Sequence, residues 1–161
     1  MACILSELDL PELKTNSFST VDTPGFEEVR RINVRAYGME DGTGGAAYFA
    51  HVVNIRDPRF KTHGLREGHG GAFVCVAVTV TIDDDVGIHW VATEEAYRSR
   101  GLASKLIHAL LKQARDDGVR TASLQSSPDG LGVYKKLGFR QVATMRGFVR
   151  PVVGDLQPVL E

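Results

Sequence analysis

The feature that most restricts this chain is the run Phe73, Val74, Cys75, Val76, Ala77, Val78, Val80 and Ile82, interrupted only by threonine. So many β-branched and apolar residues in succession are too rich for a surface helix and require a strand buried in a core. A chain of 161 residues can supply that core. One domain of this size buries roughly two thirds of the surface its unfolded form exposes. Apolar residues make up 43% and charged residues 24%, the usage of soluble globular proteins and not of disordered or fibrous ones.

The formal net charge of -1 argues against nucleic acid or an acidic membrane recognised through bulk charge, so local charge must carry the information. Cys3 and Cys75 stand far apart in unlike contexts, which is no disulfide framework and suits a reducing compartment. No apolar run approaches the ~20 residues that span a bilayer, and the first ten positions lack a basic leader. A cytoplasmic location is expected.

Around the central run the elements follow from local signals. Pro11 breaks any early helix, so residues 1–16 are read as an arm or a short strand, residues 17–152 as the domain and 153–161 as a tail. A first strand is expected over 17–21. Thr23-Pro24 then starts a helix whose apolar stripe is Phe26, Val29, Ile32, Val34 and Ala36, ending at Gly38. Residues 46–55, with Tyr48 and Phe49, suit a second helix stopped by Pro58. A weak strand is expected over 62–66, turning at 68–71. Asp83-Asp84-Asp85 reads as a hairpin turn into a strand over 86–93. Ala103, Leu106, Ile107, Leu110, Leu111 and Ala114 recur at helical spacing up to Gly118. A short strand over 121–125, a helix over 131–137 begun by Ser127-Pro128 and closed by Gly138, and a final strand pair over 139–145 and 148–152 complete the reading.

The informative stretch lies between the strand ending at Thr93 and the helix that follows: Arg98-Ser99-Arg100-Gly101-Leu102-Ala103-Ser104-Lys105. The first turn of a helix carries unpaired N–H groups and the positive end of a dipole, so main chain alone can hold a diphosphate if no side chain blocks it. Gly101 and Ala103 remove the obstruction. No Asp or Glu falls between Ala96 and Arg115, whereas Arg98, Arg100, Lys105, Lys112 and Arg115 are cationic, an asymmetry that favours a polyphosphate ligand. The bland alternative is a glycine that eases a turn beside a solvated basic face. A Walker loop is excluded because Leu102 and Ala103 follow Gly101, and no G-x-G-x-x-G fingerprint is present.

Arg98-x-x-Gly101-x-Ala103 after a strand resembles the [Gln/Arg]-x-x-Gly-x-[Gly/Ala] signature of GNAT acyltransferases, and Tyr134-Lys135-Lys136-Leu137-Gly138-Phe139 resembles their Tyr-x-x-Leu-Gly-Phe element. The likeness is good over 76–151 and loose over 20–71. It implies an α/β (α+β) fold with a mixed, mostly antiparallel sheet, splayed central strands and helices on both faces. The fourth and fifth strands of such a sheet part, and the pantetheine arm of acetyl-CoA pairs with strand-edge backbone in the gap. Carried onto this sequence, the edge is Val91, Ala92 and Thr93, and the pyrophosphate lies on backbone within Ser99, Arg100, Gly101, Leu102, Ala103 and Ser104. The 3'-phosphate falls near Arg98, Lys135 or Lys136. Relatives carry Asn where this chain has Ser127, which can bond the pantetheine or merely cap a helix.

The resemblance implies acetyl transfer from acetyl-CoA to a primary amine of a small molecule, peptide or protein, by direct attack and without a metal. A lysine-like amine of pKa ~10.4 costs about 4.6 kcal/mol to deprotonate at pH 7, so a base or water chain helps. Tyr134 resembles the residue placed beside the sulfur as general acid, against a bland role as a buried aromatic. His89 on the adjoining strand is the candidate base because it titrates near neutrality, with Glu94 and Glu95 as alternatives. A free N–H of Ala92 or Thr93 beside a strand bulge would polarise the thioester carbonyl. Zinc binding by His63, His69, Cys75 and His89 is set aside because their spacing fits no finger or ribbon. Two other readings share parts of this site: an idle acyl-CoA-binding regulatory module, and an accessory half of a larger acyltransferase. A homodimer is compatible with the resemblance. The acceptor pocket is expected within 37–71, where Tyr48, Phe49 and Phe60 supply aromatic surface.

Overall fold

The structure is a computed structural model and describes residues 1–10, 18–21, 23–38, 57–68 and 70–146. The helix expected over 46–55 with Tyr48 and Phe49, His69, the strand over 148–152 and the tail lie outside the described residues.

The described strands are β1 (Ala2–Ile4), β2 (Phe18–Val21), β3 (Phe60–Arg66), β4 (Phe73–Ile82), β5 (Asp85–Thr93) and β6 (Thr121–Leu124). They form one sheet in the order β1-β6-β5-β4-β3-β2. All neighbours pair antiparallel except β5 and β6, which run parallel. The described α-helices are α1 (Thr23–Ala36), α2 (Leu102–Asp116) and α3 (Leu131–Lys136).

The apolar run does what its composition demands: β4 is buried from Phe73 through Thr79, because a helix covers each of its faces. On one face α1 lays Val29 and Ile32 against Phe73, Val76, Val78 and Ala92. On the other, α2 sets Leu106 and Leu110 on Leu65, Cys75 and Ala77, and Ile107 and Leu111 on Val86, Ile88, Ala122 and Leu124. Each fully buried large side chain contributes roughly 1.5–3 kcal/mol.

The first residues are part of this core. Ala2, Cys3 and Ile4 pair with Ser123, Ala122 and Thr121, and Cys3, Leu5 and Leu10 join the cluster that holds Phe139. This corrects the strand expected over 139–145. Because β1 takes the free edge of β6, the segment after Phe139 makes only an isolated bridge between Arg140 and Ala2 and is otherwise irregular to residue 146. The last helix begins at Leu131, where it was expected, with Gly130 and not Ser127 as its N-cap. Ser127 Oγ instead accepts the N–H of Gly130 at 3.2 Å in the preceding turn.

His63 sits in the α2-side layer of the sheet at 4% exposure, its Nε2 2.8 Å from Thr79 Oγ1. Burial, with a smaller push from the Lys61 charge, lowers its pKa to about 4. The unfolded chain therefore takes up a proton below about pH 6.5 that the folded chain refuses until about pH 4. Unfolding free energy should fall by roughly 1.4 kcal/mol per pH unit across that window from this group alone. Urea unfolding between pH 7 and 4 measures it: His63→Gln should show a shallower loss, and an unchanged slope would contradict the assignment.

Candidate active site

The site begins where two parallel strands stop touching. At one end the Asp85 carboxylate accepts hydrogen bonds from Thr121 Oγ1 and Ser123 Oγ, both 2.7 Å, and pins β5 to β6. The pairing runs from Asp85–Thr121 to Ile88–Leu124 and ends there, while β5 continues to Thr93 along β4. Just past that point Trp90 and Val91 together oppose Ala77, since the register passes from Val78–His89 to Val76–Ala92. Trp90 has φ 53°, left-handed backbone that costs a non-glycine residue of order 1–3 kcal/mol. Its indole packs on the α1-side cluster with Val29, Ile32 and Val76, which offsets that strain. A bulge of this kind re-aims a strand and ends regular pairing.

Beyond the bulge, Glu94 donates its N–H to Val74 at 2.9 Å. Alternation along an antiparallel pair makes Ala92–Val76 the next bonded pair. The main-chain groups of Ala92 thus turn toward β4, whereas those of Val91 and Thr93 face the open side. Both open carbonyls are occupied from within the chain: Tyr37 donates its hydroxyl to Val91 at 3.3 Å, and Arg98 donates Nε to Thr93 at 3.2 Å. The expected edge is therefore divided, with Val91 and Thr93 on it and Ala92 off it.

The link from β5 to α2 forms the second part. Ser99 and Gly101 both adopt left-handed backbone, φ 61° and 71°, the conformation from which anion-binding turns are built. Gly101 is the N-cap and offers no side-chain cap. The first helical bond runs from Lys105 N–H to the Gly101 carbonyl at 3.0 Å, and helix geometry leaves the N–H groups of Leu102, Ala103 and Ser104 without intrahelical acceptors. A Cβ on Gly101 would meet nothing within 4 Å, so space is open above it. The first turn has no acidic residue. The arginines are not all aimed outward: Arg98 closes the loop onto Thr93, and Arg100 donates to Ala96 at 2.8 Å while covering the Tyr97 ring. This arrangement can hold a diphosphate on main chain with cations nearby.

The third part is Tyr134, and its placement explains why its motif has the form it does. Gly138, φ 89°, follows the end of α3. Its N–H reaches Lys135 at 3.1 Å, and Phe139 N–H reaches the carbonyl of Tyr134 at 3.0 Å. This is a Schellman stop, which asks for glycine at the left-handed position and apolar residues on either side of the reversal. Tyr134 and Phe139 supply them, their rings edge to face at 6.0 Å. Leu8 packs so closely beneath Gly138 that a Cβ there would collide with it. At the other end of α3, a Cβ on Gly130 would come within 2.9 Å of the Tyr134 ring. So the ring is held on both sides. Burial first, then the neighbouring Tyr37 and Cys75, push its pKa up to about 12, and the hydroxyl is a neutral donor throughout the physiological range.

The remaining candidates are spread around this gap. His89 is exposed on the α1 side of β5, folded over Gly87, where a Cβ would lie 2.8 Å from its Nε2. Partial burial lowers its pKa, which favours the neutral ring. Glu94 is paired with Arg35 at 3.4 Å, and Glu95 is exposed in the 3-10 turn Glu95–Tyr97. Ser127 is exposed and engaged with Gly130. Sequence reasoning passed over Tyr37, which stands at the end of α1 with its ring edge to face on Trp90 at 5.4 Å. An aromatic residue just before a helix-stopping glycine carries no local sign of such a contact. Among the described residues no three His, Cys, Asp or Glu side chains are grouped to hold a metal, and no helix is long and apolar enough to cross a membrane.

The sequence profile described as Acetyltransferase (GNAT) family matches residues 26–139. The chain belongs to the GNAT acetyltransferase family. Solved structures share the GNAT fold at low identity. A predicted acetyltransferase from Clostridium acetobutylicum, solved with acetyl-CoA, is 18% identical over 82% of this chain and 94% of that one, with a TM-score of 0.68. The ribosomal-protein-S18-alanine N-acetyltransferase from Escherichia coli is 22% identical over 80% of each chain, TM-score 0.67. The glucosamine-6-phosphate N-acetyltransferase from Arabidopsis thaliana is 12% identical over 84% of this chain and 99% of that one, TM-score 0.64. No curated protein matches the sequence.

Gly101→Val tests the cradle. Valine at φ 71° is strained by about 1–2 kcal/mol and places a branched side chain over the open N–H groups. Acetyl-CoA affinity measured by calorimetry should fall at least about ten-fold, because each lost charge-assisted hydrogen bond costs roughly 1.5–3 kcal/mol. Unchanged affinity in a folded variant would contradict the role given to this loop.

Proposed function

We propose that the protein is an acetyl-CoA-dependent N-acetyltransferase that acetylates a primary amine of a small molecule, peptide or protein. The observation that carries this reading is the opening of β5 from β6 beyond Ile88 and Leu124, with an uncapped helix N-terminus at Gly101 behind it. In this reading the pantetheine arm takes the open main chain of Val91 and Thr93, and the diphosphate rests on Ser99, Arg100, Gly101, Leu102, Ala103 and Ser104. Arg98 acts mainly by closing that loop. Ser127 lines the other side of the gap. The catalytic unit is the domain 17–152 together with β1. The S18-alanine and glucosamine-6-phosphate enzymes share the fold and their names place an amine at the acceptor position, which supports an amine acceptor here.

The reaction is direct attack of the neutral amine on the thioester carbonyl, with that oxygen receiving a hydrogen bond from the open-edge N–H of Val91 or Thr93. As the C–S bond breaks, the sulfur needs a donor. Tyr134 supplies a hydrogen bond to it; with its pKa near 12, full proton transfer to a thiolate of pKa about 8.5 is uphill by roughly 5 kcal/mol. Tyr134 therefore stabilises the leaving thiolate first and the proton follows as product departs. His89, held neutral, receives the amine proton through water.

Coenzyme A release measured across an amine panel tests the activity. Tyr134→Phe should lower kcat about 100-fold while leaving acetyl-CoA affinity within a factor of about two, and His89→Gln should lower kcat by a comparable amount. Tight coenzyme A binding with no turnover of any amine would contradict the enzyme reading and leave a binding module.

A further inference from the structure

Tyr37 stands at a junction that neither signature includes. Its hydroxyl is on the carbonyl of Val91, one of the two open-edge carbonyls of β5, and its ring meets the edge of Trp90, the residue whose left-handed backbone makes the bulge. It is also near enough to Tyr134 to raise that group's pKa. Yet Tyr37 is 50% exposed, and its 3.3 Å contact is long for an O–H···O bond, whose usual length is about 2.7–2.8 Å. A half-exposed side chain on a long bond can leave at small cost, whereas the Trp90 indole beside it is packed on the α1-side core cluster.

We infer that Tyr37 is a latch on the cofactor edge: its hydroxyl holds the Val91 carbonyl in the free protein, and an amide N–H of the incoming pantetheine replaces it. This rests on the reading of the open edge as the pantetheine site. Two consequences separate a latch from an ordinary contact. A residue that touches the bound cofactor slows its departure, so removing it raises the dissociation rate. A residue that occupies the site only in the free protein lowers the fraction able to bind, so removing it raises the association rate and leaves dissociation alone.

The chain carries its own reporter, because Trp90 is its single tryptophan and lies against Tyr37. Stopped-flow mixing of the full chain with coenzyme A, following Trp90 emission, is compared with Tyr37→Phe, which keeps the ring on Trp90 and removes only the hydroxyl. The expected result is an association rate raised about three-fold with an unchanged dissociation rate, as removal of one weak competing hydrogen bond gives. Tyr37→Leu, which removes ring and hydroxyl together, should show the same gain in association rate. An unchanged association rate, or faster dissociation from both variants, would overturn the latch while leaving the cofactor site in place. If wild-type protein does not bind coenzyme A by calorimetry, the cofactor site itself falls, and the latch with it.

Discussion

The separation of β5 from β6 is the constraint on which the rest of the site depends. The Asp85 carboxylate ties the two parallel strands at one end, and β6 stays paired to its last residue, Leu124. Beyond that point β5 continues along β4 with an extra residue inserted at Trp90 and Val91. That insertion puts an indole into left-handed backbone, and a conformation of that cost persists only where packing over-determines it. The α1-side cluster provides the packing. Core burial thus supports a strand edge outside the sheet's own ladder, which in an ordinary sheet would be a liability and here is the feature a flexible amide-bearing arm can bind.

The two helix ends around that edge use opposite halves of helix-end chemistry. At the start of α2, glycine at φ 71° and the absence of any side-chain cap leave donors facing outward, so the end is unfinished by the chain itself. At the end of α3, glycine at φ 89° completes a closed Schellman turn, and the apolar contact across it fixes Tyr134. One glycine keeps a site open and the other keeps a side chain still. The Leu8 contact under Gly138 and the bridge from Ala2 to Arg140 bring the first residues into the second task, although the family profile begins only at residue 26.

What the sequence disclosed follows from how local each signal is. The buried run of β4, the hairpin at Asp83 and Asp84, the helix ending at Gly118 and both signature segments rest on neighbours in the chain, and the structure has all of them in place. Pairing of Ala2–Ile4 with β6 joins residues more than a hundred positions apart, and nothing near Met1 announces it. The strand expected over 139–145 was displaced by that same pairing. The bulge was foreseen only as something the fold family uses; its position, and hence the inward turn of Ala92, depends on the register between β4 and β5. The charge of Arg98 is visible in the sequence, whereas its bond to the Thr93 carbonyl is not.

A crystal structure of the protein with coenzyme A tests the central claim most directly. The account predicts the diphosphate within hydrogen-bond reach of the backbone N–H groups of Leu102 to Ser104, and the pantetheine lying between β5 and β6 with an amide on Val91 or Thr93. Coenzyme A bound elsewhere, with β5 still open and that helix end empty, would contradict it.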